Sequence, residues 1–222
     1  MSNKYPALGF NFKVTSADSP SALGSVVDLV SKAVGLGGSV DGIDSFQSVS
    51  GLGSDIKVTE KLVLELGSFI KNNEIKSLLD IACGDFIWMK NIINDNKNLK
   101  YHGLEIVKEI VEKNKKIYSS SRIKFDSVDV INSEFPSNYD LILVRDFFIH
   151  IKNEDIKKII KKIKSSNCKY FAINNFPDIS QNKEVKGYGH HRLINIEIEP
   201  FNLKNIYKVI DDHDRKLNIY KI

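Results

Sequence analysis

The stretch SLLDIACGDF (Ser77–Phe86) decides the fold. It begins as a short apolar strand that contains Asp80 and ends in a loop of small residues around Gly84. Such a loop lets the backbone approach a ligand closely, and open α/β sheets bind ligands at the carboxyl ends of their strands. The stretch lacks the glycine spacing of dinucleotide-binding loops and of phosphate loops, which disfavours both ligand classes. A plain strand–turn–helix corner is the alternative interpretation.

Alternating strand and helix patterns extend from this stretch to the carboxyl terminus. We predict strands at 75–82, 101–105, 123–128, 141–144 and 170–174, and helices at 86–94, 107–118 and 155–164. Two β segments, 205–210 and 217–222, close the chain and are joined by a turn at 211–214, which indicates a hairpin. The order predicts an α/β fold with a Rossmann-like, doubly wound, mostly parallel sheet and a C-terminal antiparallel hairpin.

Composition divides the chain of 222 residues near residue 55. Residues 1–54 contain three Lys, four Asp, and no Arg or Glu, which gives a net charge of −1, whereas the whole chain carries +4. Isoleucine occurs once before residue 55 and 28 times after it. We therefore predict an N-terminal appendage over 1–45 and a folded domain over 46–222.

The first segment has two patterns of its own. An apolar stripe at helical spacing runs through 21–35, which indicates an amphipathic helix. The stretch Gly9–Phe12, followed later by Phe46–Leu52, resembles the start of tail-tube proteins of phages and contractile injection systems. That resemblance implies a tube-like particle as a partner of residues 1–54.

Cysteine usage and hydropathy predict a cytoplasmic protein without a membrane span. Cys83 and Cys168 lie 85 positions apart and are typical of reduced thiols. No apolar run reaches the roughly 18–20 residues that span a bilayer, and the N-terminus lacks a signal-peptide pattern. The lysine runs at 113–116 and 157–164 lack interleaved aromatic and arginine residues, so they indicate solvated helix faces and not a nucleic-acid surface.

Two acidic residues follow the next two strands. Glu105 ends the second strand, where a carboxylate can accept both hydroxyls of a ribose. It is alternatively an acid that stabilises the dipole of the following helix. Asp129 follows the third strand, where it can accept the exocyclic amine of adenine while Val130 and Ile131 enclose the ring. A simple turn residue is the alternative for Asp129.

With this loop after the first strand and acids after the second and third strands, residues 50–222 resemble class I methyltransferases that use S-adenosylmethionine. The resemblance rests on Leu79–Asp85, on Glu105, on Asp129 and on the segment Tyr139–Asp146. It implies S-adenosylmethionine as the cofactor. The cofactor-binding residues that it implies are Asp80, Ala82, Cys83, Gly84, Asp85, Glu105, Asp129, Val130 and Arg145. The sequence departs from the family at Ala82, where glycine is usual.

Within that superfamily, the chain is similar to small bacterial enzymes associated with surface-polysaccharide genes. The shared segments are Ser50–Ser54, Cys83–Trp88, Arg145–His150, and a late Arg192, Asn195 and Pro200-Phe201. The resemblance implies methylation of a small polar acceptor, with a sugar of a surface glycan as the leading candidate. It also implies that Ser50–Ser54 closes over the amino-acid end of the cofactor.

Asp146 and His150 are the predicted catalytic residues, because they follow the fourth strand. Their i, i+4 spacing predicts that both lie on one helical face. A histidine titrates near neutrality, which suits a general base for a hydroxyl acceptor. Asp146 would orient the histidine or bind the acceptor. A structural histidine at a helix start is the alternative for His150.

The loop after the fifth strand supplies the predicted acceptor-binding residues Tyr188, His190, His191 and Arg192. Adjacent histidines seldom converge on one ion, so no metal is predicted. Two alternative functions remain open. One is N- or carboxyl-methylation, and the other is a non-enzymatic assembly protein that acts through residues 1–54.

Overall fold

The computed structural model describes residues 56–134, 136–187 and 190–222. The helices are α1 (Ile56–Asn72), α2 (Met89–Asp95), α3 (Lys108–Tyr118) and α4 (Asn153–Ser165), with a 3₁₀ turn at Phe148–His150. The strands are β1 (Ser77–Ile81), β2 (Lys100–Glu105), β3 (Ile123–Ser127), β4 (Leu141–Val144), β5 (Tyr170–Asn175), β6 (Ile206–Asp212) and β7 (Arg215–Lys221). These strands form one sheet in the order β3-β2-β1-β4-β5-β7-β6.

The sheet has the predicted doubly wound topology. Strands β1 to β5 pair in parallel, and β7 pairs antiparallel with both β5 and β6. The order reverses between β1 and β4, which are neighbours in the sheet. The connections leave these two strands in opposite directions, so a crevice forms at their carboxyl ends. The predicted fold class and the closing hairpin are confirmed.

Each face of the sheet buries one hydrophobic cluster. Successive side chains of a strand point to opposite faces, so Leu78 lies in the first cluster and Leu79 in the second. Helices α1, α2 and α3 contribute to the first cluster. Helix α4 covers the second face with Ile156, Ile159 and Ile163 at helical spacing, while most of its lysines are exposed.

Two local predictions are wrong. The hairpin turn is shorter than predicted, because β6 continues to Asp212 and β7 begins at Arg215, which leaves two residues between them. Asp146 and His150 do not share a helical face, because Asp146 has a left-handed backbone (φ 57°) and the helical turn begins only at Phe148.

Several predictions concern residues outside the described part of the chain. These are the appendage over 1–45, the amphipathic pattern at 21–35, the tube-like segments within 1–54, the loop Ser50–Ser54, and Tyr188. In the described ranges, no helix is both long and apolar enough to span a membrane.

Candidate active site

The β1–α2 loop (Ala82–Trp88) has an unusual backbone at the carboxyl end of β1. Ala82, Gly84 and Phe86 adopt left-handed φ values of 59°, 57° and 64°. This conformation costs roughly 1–2 kcal/mol for a residue with a Cβ atom, a cost that glycine would avoid at the position of Ala82. Asp85 closes the turn by accepting the backbone N–H two residues later at 3.3 Å. Backbone strain of this kind concentrates at ligand sites.

Glu105 holds this loop from the end of β2. Its Oε2 accepts the N–H of Gly84 at 3.2 Å, and its Oε1 accepts the N–H groups of Ile106 at 2.8 Å and Val107 at 3.2 Å. Burial raises the pKa of Glu105, while these three hydrogen bonds act in the opposite direction. The carboxylate is therefore fixed at the carboxyl end of β2, against the β1–α2 loop and next to the start of α3.

Asp80 is a buried acid in β1. It is 3% exposed, and the hydroxyl of Tyr101 donates to its Oδ2 at 2.8 Å. Burial raises the pKa of Asp80 to about 7, although the hydrogen bond from Tyr101 and the charge of Arg145 oppose the shift. Burial also raises the pKa of the neighbouring Cys83 thiol. Cys83 is therefore a neutral thiol near pH 7 and not an activated nucleophile.

The raised pKa of Asp80 predicts a loss of stability with rising pH. The folded chain keeps this proton up to about pH 7, whereas the unfolded chain releases it near the ordinary value of 3.8. The folded state binds more protons between these values, so stability falls as pH rises through this window. Asp80→Asn should abolish this fall and raise the free energy of unfolding at pH 8 by up to about 4 kcal/mol. Thermal unfolding of both proteins at pH 5.5 and pH 8 measures this effect.

Asp140→Asn is the matched control for that experiment. Asp140 is paired with Lys169 at 2.6 Å and accepts the backbone N–H of Lys76 at 2.8 Å. Removal of its charge should therefore lower the melting temperature at pH 8. An Asp80→Asn protein that is less stable than the parent at pH 8 would contradict the assignment.

The β3–β4 connection presents Asp129 as the residue that shapes a turn. Its Oδ1 accepts the N–H groups of Ile131 at 3.0 Å and Asn132 at 3.2 Å. Val130 is 6% exposed and packs in the second cluster. The ammonium group of Lys162, in α4, donates to the carbonyl oxygens of Ile131 at 2.9 Å and of Ser133, two residues further on, at 2.7 Å. The contacts of Asp129 are thus those of a turn residue, which was the alternative interpretation. Lys162 holds the β3–β4 connection against α4.

Arg145 is buried after β4 in a network that connects four elements. Its Nε and Nη2 bind the two carboxylate oxygens of Asp212 at 2.9 and 3.0 Å. Asn174, in β5, donates to Asp212 Oδ2 at 3.0 Å. The guanidinium also lies over the ring of Trp88, 5.2 Å from its centroid. The network joins the β1–α2 loop to β4, β5 and β6.

Asp146 extends this network toward β7. Its backbone N–H donates to Asn174 Oδ1 at 2.6 Å. Its Oδ2 lies 3.2 Å from Nη1 of Arg145, and its Oδ1 is bound by Nη1 of Arg215. Both oxygens are therefore engaged by guanidinium groups, and the structure does not bring Asp146 into contact with His150.

His150 ends the 3₁₀ turn, where the structure brings it next to the predicted acceptor loop. Its Nδ1 lies 3.3 Å from the carbonyl oxygen of His190, and its ring centroid is 6.3 Å from that of His191. The side chain is exposed, yet the protein atoms around the ring lower the pKa of His150 below its ordinary value of 6.5. His150 is therefore neutral at pH 7 and able to accept a proton.

Arg192 forms hydrogen bonds that connect the segment around His150 to the start of α4 and to Lys183. Its Nη1 donates to the carbonyl oxygen of Phe148 at 2.6 Å, its Nη2 to Asn153 Oδ1 at 2.7 Å, and its Nε to the carbonyl oxygen of Lys183 at 3.2 Å. Desolvation lowers the pKa of Arg192. Among the residues that the structure describes, no group of three or more His, Cys, Asp or Glu side chains is arranged to hold a metal ion.

Comparisons with known proteins define the class of this fold. Residues 78–166 match a family described as a methyltransferase domain. The structure is similar to PigF with bound SAH, with a TM-score of 0.58, 17% identity, and coverage of 75% of this chain and 56% of that one. It is also similar to an S-adenosylmethionine-dependent methyltransferase of Clostridium acetobutylicum, with a TM-score of 0.58, 16% identity, and coverage of 78% and 96%. The described domain thus has the fold of class I methyltransferases.

A sequence relative adds a more particular similarity. The phosphoethanolamine N-methyltransferase of Plasmodium falciparum is 31% identical over 109 residues, which are 48% of this chain and 39% of that protein. The chain therefore spans well under half the length of this relative.

Proposed function

We propose that this chain is an S-adenosylmethionine-dependent methyltransferase. The observation that carries the proposal is the half-buried Glu105 carboxylate, which is fixed against the left-handed β1–α2 loop at the carboxyl end of β2. A carboxylate with two oxygens at this place suits a ribose with two hydroxyls. We assign Asp129 and Val130 to the adenine side of the cofactor. We assign Asp80, Ala82, Cys83, Gly84, Asp85 and Arg145 to its methionine side.

The cofactor, when bound, would supply a methyl group on a positively charged sulfur, and the bond from that carbon to the acceptor would form as the carbon–sulfur bond breaks and leaves its electron pair on sulfur. The chain's own contribution is to align the acceptor and to remove its proton. Because Nδ1 of His150 faces the carbonyl oxygen of His190, Nδ1 carries the hydrogen and donates it. Nε2 then holds the free lone pair, and we assign the general base to this atom.

The proposed acceptor is a hydroxyl of a small polar molecule, with a sugar of a surface glycan as the leading candidate. His190 and His191 lie beside His150 and support this assignment, because imidazoles can hydrogen-bond several hydroxyls. We also assign Tyr188 to the proposed acceptor loop, and Arg192 supports that loop through its bonds to Phe148 and Asn153. The buried free thiols Cys83 and Cys168 fit a cytoplasmic location.

N-methylation is the second candidate, and the relative from Plasmodium falciparum favours it. Incubation with S-adenosylmethionine labelled in its methyl group, followed by a panel of sugars, amines and carboxylates, separates the candidates. Transfer to a sugar hydroxyl supports the proposal. Transfer only to amines or only to carboxylates would contradict the assigned acceptor while preserving the methyltransferase class.

Glu105→Ala should weaken the binding of S-adenosylhomocysteine by about 1–3 kcal/mol, because the ribose hydroxyls and three backbone N–H groups lose their acceptor. Isothermal titration calorimetry measures the change. Glu112→Ala, which removes an exposed acid of α3, is the control and should bind as the parent does. Equal affinity in the Glu105 variant would remove its assigned role.

Deletion of residues 1–45 should leave a domain that unfolds cooperatively and binds S-adenosylhomocysteine. We propose that these residues are an appendage, since the amino-acid composition of the chain changes near residue 55. Calorimetric unfolding of the truncated and full chains measures this. Loss of the cooperative transition in the truncated chain would show that residues 1–45 belong to the core.

A further inference from the structure

A buried asparagine on α3 forms a hydrogen bond to the backbone of the β1–α2 loop. Asn114 is 0% exposed, and its Nδ2 donates to the carbonyl oxygen of Gly84 at 2.7 Å. A carbonyl can only accept, so this bond identifies the amide nitrogen and fixes the orientation of the side chain. Its Oδ1 is buried without a hydrogen-bond partner among the described residues.

Gly84 is consequently held on both sides of its Cα atom. Its N–H donates to Glu105 and its carbonyl accepts from Asn114. Together these bonds fix the two peptide planes, and with them the left-handed φ of 57°. Ala82 and Phe86 are themselves left-handed, so local preference does not hold the loop in this shape. The side chains of Glu105 and Asn114 are therefore the contacts that hold the Gly84 peptides within this loop.

A buried amide oxygen without a partner is unfavourable for stability. A leucine has a similar volume and would avoid that cost in a helix that otherwise buries Ile110 and Val111. The benefit of Asn114 must therefore lie in the bond to Gly84.

We propose that Asn114 is a positioning residue for cofactor binding. It holds the Gly84 peptide so that the carboxylate of Glu105 remains aligned for the ribose. This inference rests on the proposed function of the site.

Asn114→Leu tests the inference, with S-adenosylhomocysteine as the ligand and the fluorescence of Trp88, the single tryptophan of the chain, as the readout. The dissociation constant should rise about 10–100-fold. The melting temperature of the ligand-free protein should change little, because removal of the unpartnered oxygen offsets the loss of the hydrogen bond to the Gly84 carbonyl. Hydrogen exchange of the backbone amides at 82–88 should be faster. If Asn114 had a purely structural role, its replacement would lower the melting temperature without raising the dissociation constant and without speeding exchange at 82–88.

Asn218→Leu is the matched control, since Asn218 is a 1% exposed asparagine in β7. This variant should keep the parent's dissociation constant and its exchange rates at 82–88. Asn114→Ala serves if the leucine variant does not fold, and it should show the same loss of affinity.

Parent-like affinity in a folded Asn114 variant would overturn the inference. A parent protein that does not bind S-adenosylhomocysteine would instead contradict the proposed function. In that case hydrogen exchange still tests whether Asn114 holds the β1–α2 loop. Unchanged exchange of the amides at 82–88 in the Asn114 variant would overturn that part of the inference.

Discussion

Replacement of His150 by alanine is expected to lower turnover about 10²–10⁴-fold at saturating acceptor, the range for loss of a general base. The affinity for S-adenosylhomocysteine should stay the same, because the base contacts the acceptor. In the parent protein, the acid limb of the pH–rate profile should lie below pH 6.5, since the protein atoms around His150 lower its pKa. The variant should lose this limb.

His191→Ala is the matched control for His150. His191 is an exposed histidine of the same cluster, and it is proposed to position the acceptor. Its loss should mainly raise the KM for the acceptor, because a positioning group supplies uniform binding. Nearly unchanged turnover in His150→Ala would show that alignment alone performs the catalysis and would remove the assigned base.

Asp212→Ala is expected to lower the free energy of unfolding by about 3–5 kcal/mol, because it leaves the buried Arg145 guanidinium without its bidentate partner. The side chains of Arg145 and Asp212 are 8% and 0% exposed, so water cannot replace the lost contact. Urea-induced unfolding measures the loss. Cofactor affinity should also fall, since Arg145 packs on Trp88 of the β1–α2 loop.

The preceding residue provides the control. Asp211 pairs with Lys61 and Lys216, but it is 43% exposed, so solvent screens these pairs. Asp211→Ala should shift the unfolding midpoint far less than Asp212→Ala. Equal midpoints for the two variants would contradict the role of the buried pair.

The sequence predicts the fold well because burial imposes simple patterns. Strand β4 is entirely apolar, as a strand covered on both faces must be, and its predicted bounds match the structure. The isoleucines of α4 repeat at helical spacing. The sequence places the loop after β1 and Glu105 at the ends of successive strands, and the structure joins them through the hydrogen bond from Gly84 to Glu105.

The parts that the sequence did not reveal depend on long-range pairing. Asp212 lies in an acidic stretch that predicts a turn, and its place in β6 follows only from the burial of Arg145, 67 positions earlier. Arg215, Asn174 and Asn114 belong to no local pattern. Asp146 and His150 have helical spacing, but the left-handed backbone at Asp146 separates them. A pairing signal between residues 145 and 212 in related sequences could have identified the network.

Titration of S-adenosylhomocysteine into the full chain tests the central claim most directly. We predict one binding site with a dissociation constant in the micromolar range, about 8 kcal/mol of binding free energy. The tryptophan signal of Trp88 should change in parallel, because its ring packs against Arg145 beside the β1–α2 loop. No binding heat and no fluorescence change in a protein shown to be folded would contradict the methyltransferase assignment.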